Sequence, residues 1–252
     1  SLVDEPLVFV EVALMREIPD AIGQVLEEPH AEVDGGKPPT TAVFYSISNC
    51  QEGLKGISFG NFLLKQVVED LAREKPSLKT FVTLSPAPQF TAWLERVAAG
   101  PADDPIGAEA RSLIAAIRQS NWPNGDDTAA ATDIETALLA LAAQYFLHGK
   151  VKDGRPVDPV ARFHLGNGAR LERINYLADT SEKSLREACG LMVNYLYDPK
   201  EIERNHEAYA NERAVACSRA VRSLLKLKSK VRAGPAAPQP ALPAPEPEKA
   251  SS

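Results

Sequence analysis

The chain has 252 residues, 44% hydrophobic and 25% charged, the composition of an ordinary globular protein with length for one large domain or two small ones. A net charge of −6 argues against a general nucleic-acid surface, and no run of about 18 apolar residues is present to cross a membrane. Cys50, Cys189 and Cys217 are scattered, odd in number and form no CxxC pair, which argues against a disulfide framework or a zinc site. The chain opens on SLVDEPLVFVEVAL, with neither methionine nor a signal peptide, and this start close to a strand suggests a fragment.

In chain order, residues 7–14 (LVFVEVAL) are predicted as a strand. Residues 17–28 are predicted as a short helix, with Ile18, Ile22, Val25 and Leu26 at helical spacing. A Gly- and Pro-bearing loop follows, then a strand over 42–48 (AVFYSIS). The segment CQEGLKGISFG holds Gly53, Gly56 and Gly60 and leads into an amphipathic helix over 61–74 that Pro76 ends. A strand over 78–84 then delivers Ser85. Strand, glycine loop, helix and strand form a βαβ unit, so the two strands are expected to be parallel. Residues 90–150 read as two or three helices. Beyond them come turn signals over 149–159, a short apolar run holding His164 that reads as sheet, a turn over 166–168, a strand over 170–178, a helix from Ser181, and VNYLYD as a further strand. A single long helix is predicted over 207–232, its last turns carrying Lys226, Lys228, Lys230 and Arg232 where a helix dipole favours cations. From Ala233 the chain is dominated by Pro and Ala and is expected to be disordered.

Three features could carry chemistry. The glycine loop before a helix N-terminus is a natural anion site, with Lys55 and Lys65 near in sequence, although it is neither GxGxxG nor a GK[ST] loop and equally fits an ordinary βα turn. Ser85 is forced into extended geometry by Pro86 at a strand end, where open α/β sheets place ligands; read locally, a strand-terminating turn is the plainer alternative. No GxSxG elbow is present. His164 can move a proton in either direction near neutral pH, against the plainer reading of a structural histidine. On sequence alone Ser46, Ser48, Tyr195 and Tyr197 read as packing or sheet surface, and Cys189 as core.

Taken together and in order, FYSISNCQEGLKGISFGNFLLKQVV, LSPAPQFTAWL, DPVARFHLGNGARLERINYLAD and CGLMVNYLY resemble the catalytic domain of the malonyl-CoA decarboxylase family over roughly residues 5–225. The resemblance implies an α/β fold like that of the GCN5-related N-acetyltransferases (GNAT), a mixed sheet flanked by helices, here with a helical insertion around 90–150. It implies one catalytic domain over 1–232, a tail over 233–252, and absence of the family's N-terminal helical domain. It places CoA on Lys55, Gly56, Ile57, Ser58, Phe59, Gly60 and Asn61, the catalytic pair on Ser85 and His164, and further active-site residues on Ser46 and Tyr197. Gly53 and Ser58 depart from the Gln/Arg-x-x-Gly-x-Gly/Ala loop of the wider acetyltransferase superfamily.

The implied activity is conversion of malonyl-CoA to acetyl-CoA and CO₂ through an enolate, in malonate and fatty-acid metabolism. It needs no metal or organic cofactor, because the thioester carbonyl is itself the electron sink. The implied partner beyond the substrate is a second copy of the chain, as a homo-oligomer (a tetramer in the family), with no membrane or nucleic acid. The ending KASS is not the peroxisomal Ser-Lys-Leu signal, which leaves a cytoplasmic location as the expectation. A GNAT-type acyltransferase and a non-catalytic acyl-CoA-binding module are the alternatives.

Overall fold

The computed structural model describes residues 8–27, 37–49 and 60–227. Cys50 and most of the glycine loop, including Lys55, Gly56, Ile57, Ser58 and Phe59, lie outside the described residues, as does the Pro/Ala-rich segment from 233.

The strands are β1 (Val8–Met15), β2 (Thr41–Asn49), β3 (Thr80–Thr83), β4 (Ser85–Pro86), β5 (Arg170–Asn175) and β6 (Met192–Leu196), and they form one mixed sheet. β1 runs antiparallel to β2, and β2 runs parallel to β3, as the βαβ reading predicts. β6 is antiparallel to β3 and β4 on one side and to β5 on the other. One register sets Val82 opposite Leu196 and Ser85 opposite Val193, so β3 and β4 are a single run along β6 with an interruption at Leu84. Ser85 is therefore held in the ladder, in the extended geometry that Pro86 requires.

Helix α1 (Ile22–Leu26) covers one face of the sheet, where Val25 packs with Val43, Val82, Leu84 and Met192. The opposite face carries the main core, which includes residues of α2 (Gly60–Glu74), α3 (Phe90–Ala98), α4 (Pro105–Gln119) and α5 (Thr128–His148). The expected helical stretch over 90–150 is these last three. α6 (Pro159–Gly166), α7 (Glu182–Ala188), α8 (Ile202–Glu212) and α9 (Arg219–Leu224) complete the described helices.

Three expectations are corrected. The helix predicted over 17–28 is confined to Ile22–Leu26, because the carbonyls of Ile18 and Pro19 accept hydrogen bonds from Arg173, and Pro19 also from Asn194, outside any helix. The run holding His164 is helix α6, not sheet. The single helix over 207–232 is two helices. Arg213 adopts a left-handed conformation (φ 56°) that ends α8, and the segment between pairs with β5 through Leu171 N–H to Ala216 O and Ser218 N–H to Leu171 O. Residues 228–232 lie outside the described residues.

Candidate active site

Alternation along strands puts Thr83 and Ser85 on one face of β3–β4, and Tyr195 and Tyr197 on the same face of β6. Phe44 stands opposite Thr83 on β2, with Ser46 two residues further along on that face. Helix α6 lies over this patch and lowers His164 onto it.

Its placement is built from polar contacts. Asp158, 1% exposed, is the N-cap of α6. One carboxylate oxygen accepts from Ala161 N–H (2.8 Å) and the other from the Tyr145 hydroxyl of α5 (2.9 Å). Pro159 fills the first helical position, which needs no N–H donor. At the other end Asn167 Nδ2 donates to Phe163 O, and His206 Nδ1 donates to Gly166 O at 2.6 Å. The chain then turns through Gly168 at φ +78°, where a Cβ would come within 2.1 Å of Ile202 O, so only glycine fits.

On the sheet face His164 Nε2 lies 3.0 Å from Ser85 Oγ, and its Nδ1 lies 2.8 Å from Tyr197 Oη. The ring stacks on Tyr195 with centroids 4.5 Å apart. Ser85 Oγ is also 3.0 Å from Thr83 Oγ1. Ser85 is 6% exposed, His164 3%, Tyr197 1% and Thr83 0%. Burial disfavours the imidazolium and holds His164 well below its ordinary value, at about 3, so the resting ring is neutral. Burial likewise pushes the Tyr195 and Tyr197 phenols well above their usual range, so both are protonated.

A cleft of about 520 Å³ opens onto this pair, within the range of small-ligand sites. Ser46, Ser85 and His164 line it with Phe44, Pro159 and Phe163. Of the expected site residues, the structure thus brings Ser46, Ser85 and His164 to one cavity. Tyr197 is not among the residues lining that cleft; its hydroxyl meets the other side of the ring, at His164 Nδ1. Gly60 and Asn61 of the expected CoA loop open α2. Lys65, in the same helix, is engaged by Glu203 of α8 at 2.6 Å, which raises the affinity of its amine for the proton.

Sequence reasoning passed over Thr83 and the Asp158–Tyr145 pair. Thr83 had a signal, since it lies two residues before Ser85 on a strand. Asp158 had a stronger one, because Asp followed by Pro is the start signature of a helix.

The profile of the malonyl-CoA decarboxylase C-terminal domain matches residues 1–234. The chain belongs to the malonyl-CoA decarboxylase family. It is 35% identical over 243 residues to the mitochondrial malonyl-CoA decarboxylase of Rattus norvegicus, covering 88% of this chain and 48% of that protein. The goose (Anser anser anser) mitochondrial malonyl-CoA decarboxylase is 33% identical over 241 residues, covering 88% and 47%. Among solved structures, malonyl-CoA decarboxylase from Rhodopseudomonas palustris superimposes with a TM-score of 0.78 at 53% identity, covering 88% of this chain and 50% of that one. The Agrobacterium vitis malonyl-CoA decarboxylase gives 0.78 at 56% identity, covering 87% and 53%. The chain therefore spans about half the length of the decarboxylases it matches.

Proposed function

We propose that this chain carries the catalytic centre of a malonyl-CoA decarboxylase, a carboxy-lyase that converts malonyl-CoA to acetyl-CoA and CO₂. The observation that carries the proposal is the Ser85–His164 pair, hydrogen-bonded at 3.0 Å in the wall of the cleft, in a chain of this family.

The chemistry sets three demands. The carboxylate must be held perpendicular to the thioester plane so that the breaking C–C bond overlaps the carbonyl π system. The enolate oxygen must meet preorganised donors. The α-carbon must then receive a proton. In this reading the segment 55–61 anchors CoA, while Ser46 and Ser85 hydrogen-bond the malonyl carboxylate. His164 supplies the proton.

The neutral resting state of His164 fits this role. A bare imidazole in that pocket is not an acid, because losing its only ring proton would leave a buried anion. When the malonyl carboxylate enters, an opposite charge beside the ring offsets the burial penalty, and His164 takes up a proton from solvent with the substrate. Cleavage removes the carboxylate as neutral CO₂ and moves its electron pair into the enolate. The imidazolium then faces a carbon base and delivers its proton, directly or through Ser85 Oγ. The balance is one malonyl-CoA carboxylate plus one proton giving acetyl-CoA plus CO₂, with the thioester carbonyl as electron sink and no further reactant required. Tyr197 acts through His164, holding Nδ1 and hence the orientation of the ring.

The test is incubation of the full-length protein with malonyl-CoA and no acceptor. CO₂ and acetyl-CoA in equal amounts are expected. Binding without CO₂ release would make this an acyl-CoA-binding module, and acyl transfer only in the presence of an amine would make it an acyltransferase. The cytoplasmic location and homo-oligomeric assembly implied by the resemblance belong to the same proposal; the relatives from rat and goose are named as mitochondrial.

A further inference from the structure

Ser85, His164 and Tyr197 leave one hydroxyl in the same buried line unaccounted for, that of Thr83. It is fully buried, and its β-branched side chain has little χ1 freedom. Two cross-strand hydrogen bonds, each with a side-chain partner, fix it further. Tyr195, which faces it across the sheet, donates its backbone N–H to Thr83 Oγ1 at 3.3 Å, and Asn194 Nδ2 donates to the Thr83 carbonyl at 3.0 Å. Asn194 is itself gripped, its Oδ1 accepting from Arg173 Nε and Asn175 Nδ2. Thr83 Oγ1 thus stands 3.0 Å from Ser85 Oγ with little room to move.

The line Thr83–Ser85–His164–Tyr197 has three hydrogen bonds and a neutral imidazole with a single ring proton. It can therefore run in two directions. In one, Tyr197 O–H donates to Nδ1, Nε2–H donates to Ser85 Oγ, and Ser85 O–H donates to Thr83 Oγ1. In the other every arrow reverses and the ring proton sits on Nδ1. The two differ at their ends. The reversed direction leaves the Tyr197 phenol proton, the most acidic hydroxyl proton of the three, with no acceptor among the described residues and makes phenol oxygen an acceptor. The first direction sets that phenol against imidazole nitrogen, the strongest neutral base present, and leaves over only an aliphatic hydroxyl proton.

We propose that Thr83 is a positioning residue whose hydroxyl accepts the Ser85 proton and so fixes the serine oxygen as acceptor of the His164 Nε2–H, with the ring proton on the cleft side. Without that acceptor the Tyr197 phenol still donates to Nδ1 and keeps the ring proton on Nε2, but the Ser85 proton has no partner left in this line and the serine hydroxyl can turn away from its place beside Nε2. The consequence for turnover rests on the decarboxylase reading; the tautomer rests on the hydrogen-bond line, the neutral ring and the acidity of the hydroxyls at its ends.

The test uses full-length protein labelled with ¹⁵N-histidine. Two-bond nitrogen–proton NMR correlations distinguish the tautomers, and the signal of residue 164 is assigned by its loss in His164→Gln. The expected wild-type signal is Nε2–H, retained in Thr83→Ser. Thr83→Val, which keeps the shape and removes the hydroxyl, should keep Nε2–H, because Tyr197 still donates to Nδ1, but the loss of a fixed serine acceptor should shift the Nε2 proton resonance. There kcat should fall roughly tenfold, the scale of one buried hydrogen bond, with KM for malonyl-CoA unchanged and the rate restored in Thr83→Ser. An Nδ1–H wild type overturns the proposal, as does a Thr83→Val protein whose Nε2 proton resonance and kcat match those of the wild type; the wild-type spectrum decides even where the valine variant fails to fold. Absence of malonyl-CoA turnover in the wild type overturns the decarboxylase reading and leaves the tautomer measurement to judge Thr83.

Discussion

Helices α5 and α6 meet at one hydrogen bond, from Tyr145 to Asp158, and they are held by opposite means. α5 is 21 residues long and buries Ile134, Leu138, Leu141, Tyr145 and Phe146 among other apolar residues. Apolar area fixes it. α6 has eight residues, of which only Ala161, His164 and Leu165 are buried, and a helix that short has little stability of its own. Polar partners fix it: the Asp158 cap, Arg162 on the carbonyls of Pro156 and Val157, Asn167, His206, and the two hydrogen bonds made by the His164 ring. Apolar packing is strong but tolerates small shifts. Hydrogen bonds at both ends of a short helix add less stability and specify position more closely, as a proton donor beside a cleft requires.

That contrast can be broken by mutation. Leu141→Ala, in α5, should cost about 2–5 kcal/mol in denaturant unfolding through transfer and cavity terms while leaving turnover per folded molecule unchanged. A fall in kcat for the folded fraction would show that α5 also tunes the site. Asp158→Ala should cost less stability, about 2 kcal/mol, since it removes a helix cap and leaves the buried Tyr145 hydroxyl unpaired. It should nonetheless reduce kcat well below that of Leu141→Ala, because α6 loses the contact that sets its register; Asp158→Asn, which keeps an accepting oxygen at the cap, should recover most of it. Equal kcat in the alanine variants would erase the distinction between the two helices.

The smallest effect is on acid stability. Burial holds native His164 at about 3, against an ordinary value near 6.5. Below pH 6.5 the unfolded chain binds a proton at this residue that the native chain refuses. Native stability therefore falls as pH drops toward about 3 and returns as pH rises, by up to ~1.4 kcal/mol per pH unit from this group. Urea midpoints at pH 6 and pH 5 should show a shallower pH dependence in His164→Gln than in wild type. Identical slopes would mean that the native ring is solvated.

How much of this was legible in the sequence follows from the range of the forces involved. Local periodicity found β2, α2 and β3 and their parallel pairing, because a strand–loop–helix–strand run constrains its own topology. It misplaced His164, since eight residues barely show a helical period; the Asp158–Pro159 start signal was present and outweighed by the apolar run. It merged α8 and α9, because the break at Arg213 comes with pairing of 216–218 to Leu171, distant in sequence. Ser85 and His164 are 79 residues apart, and nothing local joins them; the four family motifs named the pair, and the fold brings it to 3.0 Å. Tyr197 was named in the same way; that it meets His164 on the Nδ1 side depends on packing between β6 and α6, which no local pattern shows.

The most direct measurement is malonyl-CoA turnover by full-length wild type and His164→Ala side by side, with CoA binding measured on both. The decarboxylase reading predicts a fall of roughly 10²-fold or more in kcat, the scale of general acid–base catalysis, with CoA binding nearly intact. Unchanged turnover in His164→Ala would contradict it.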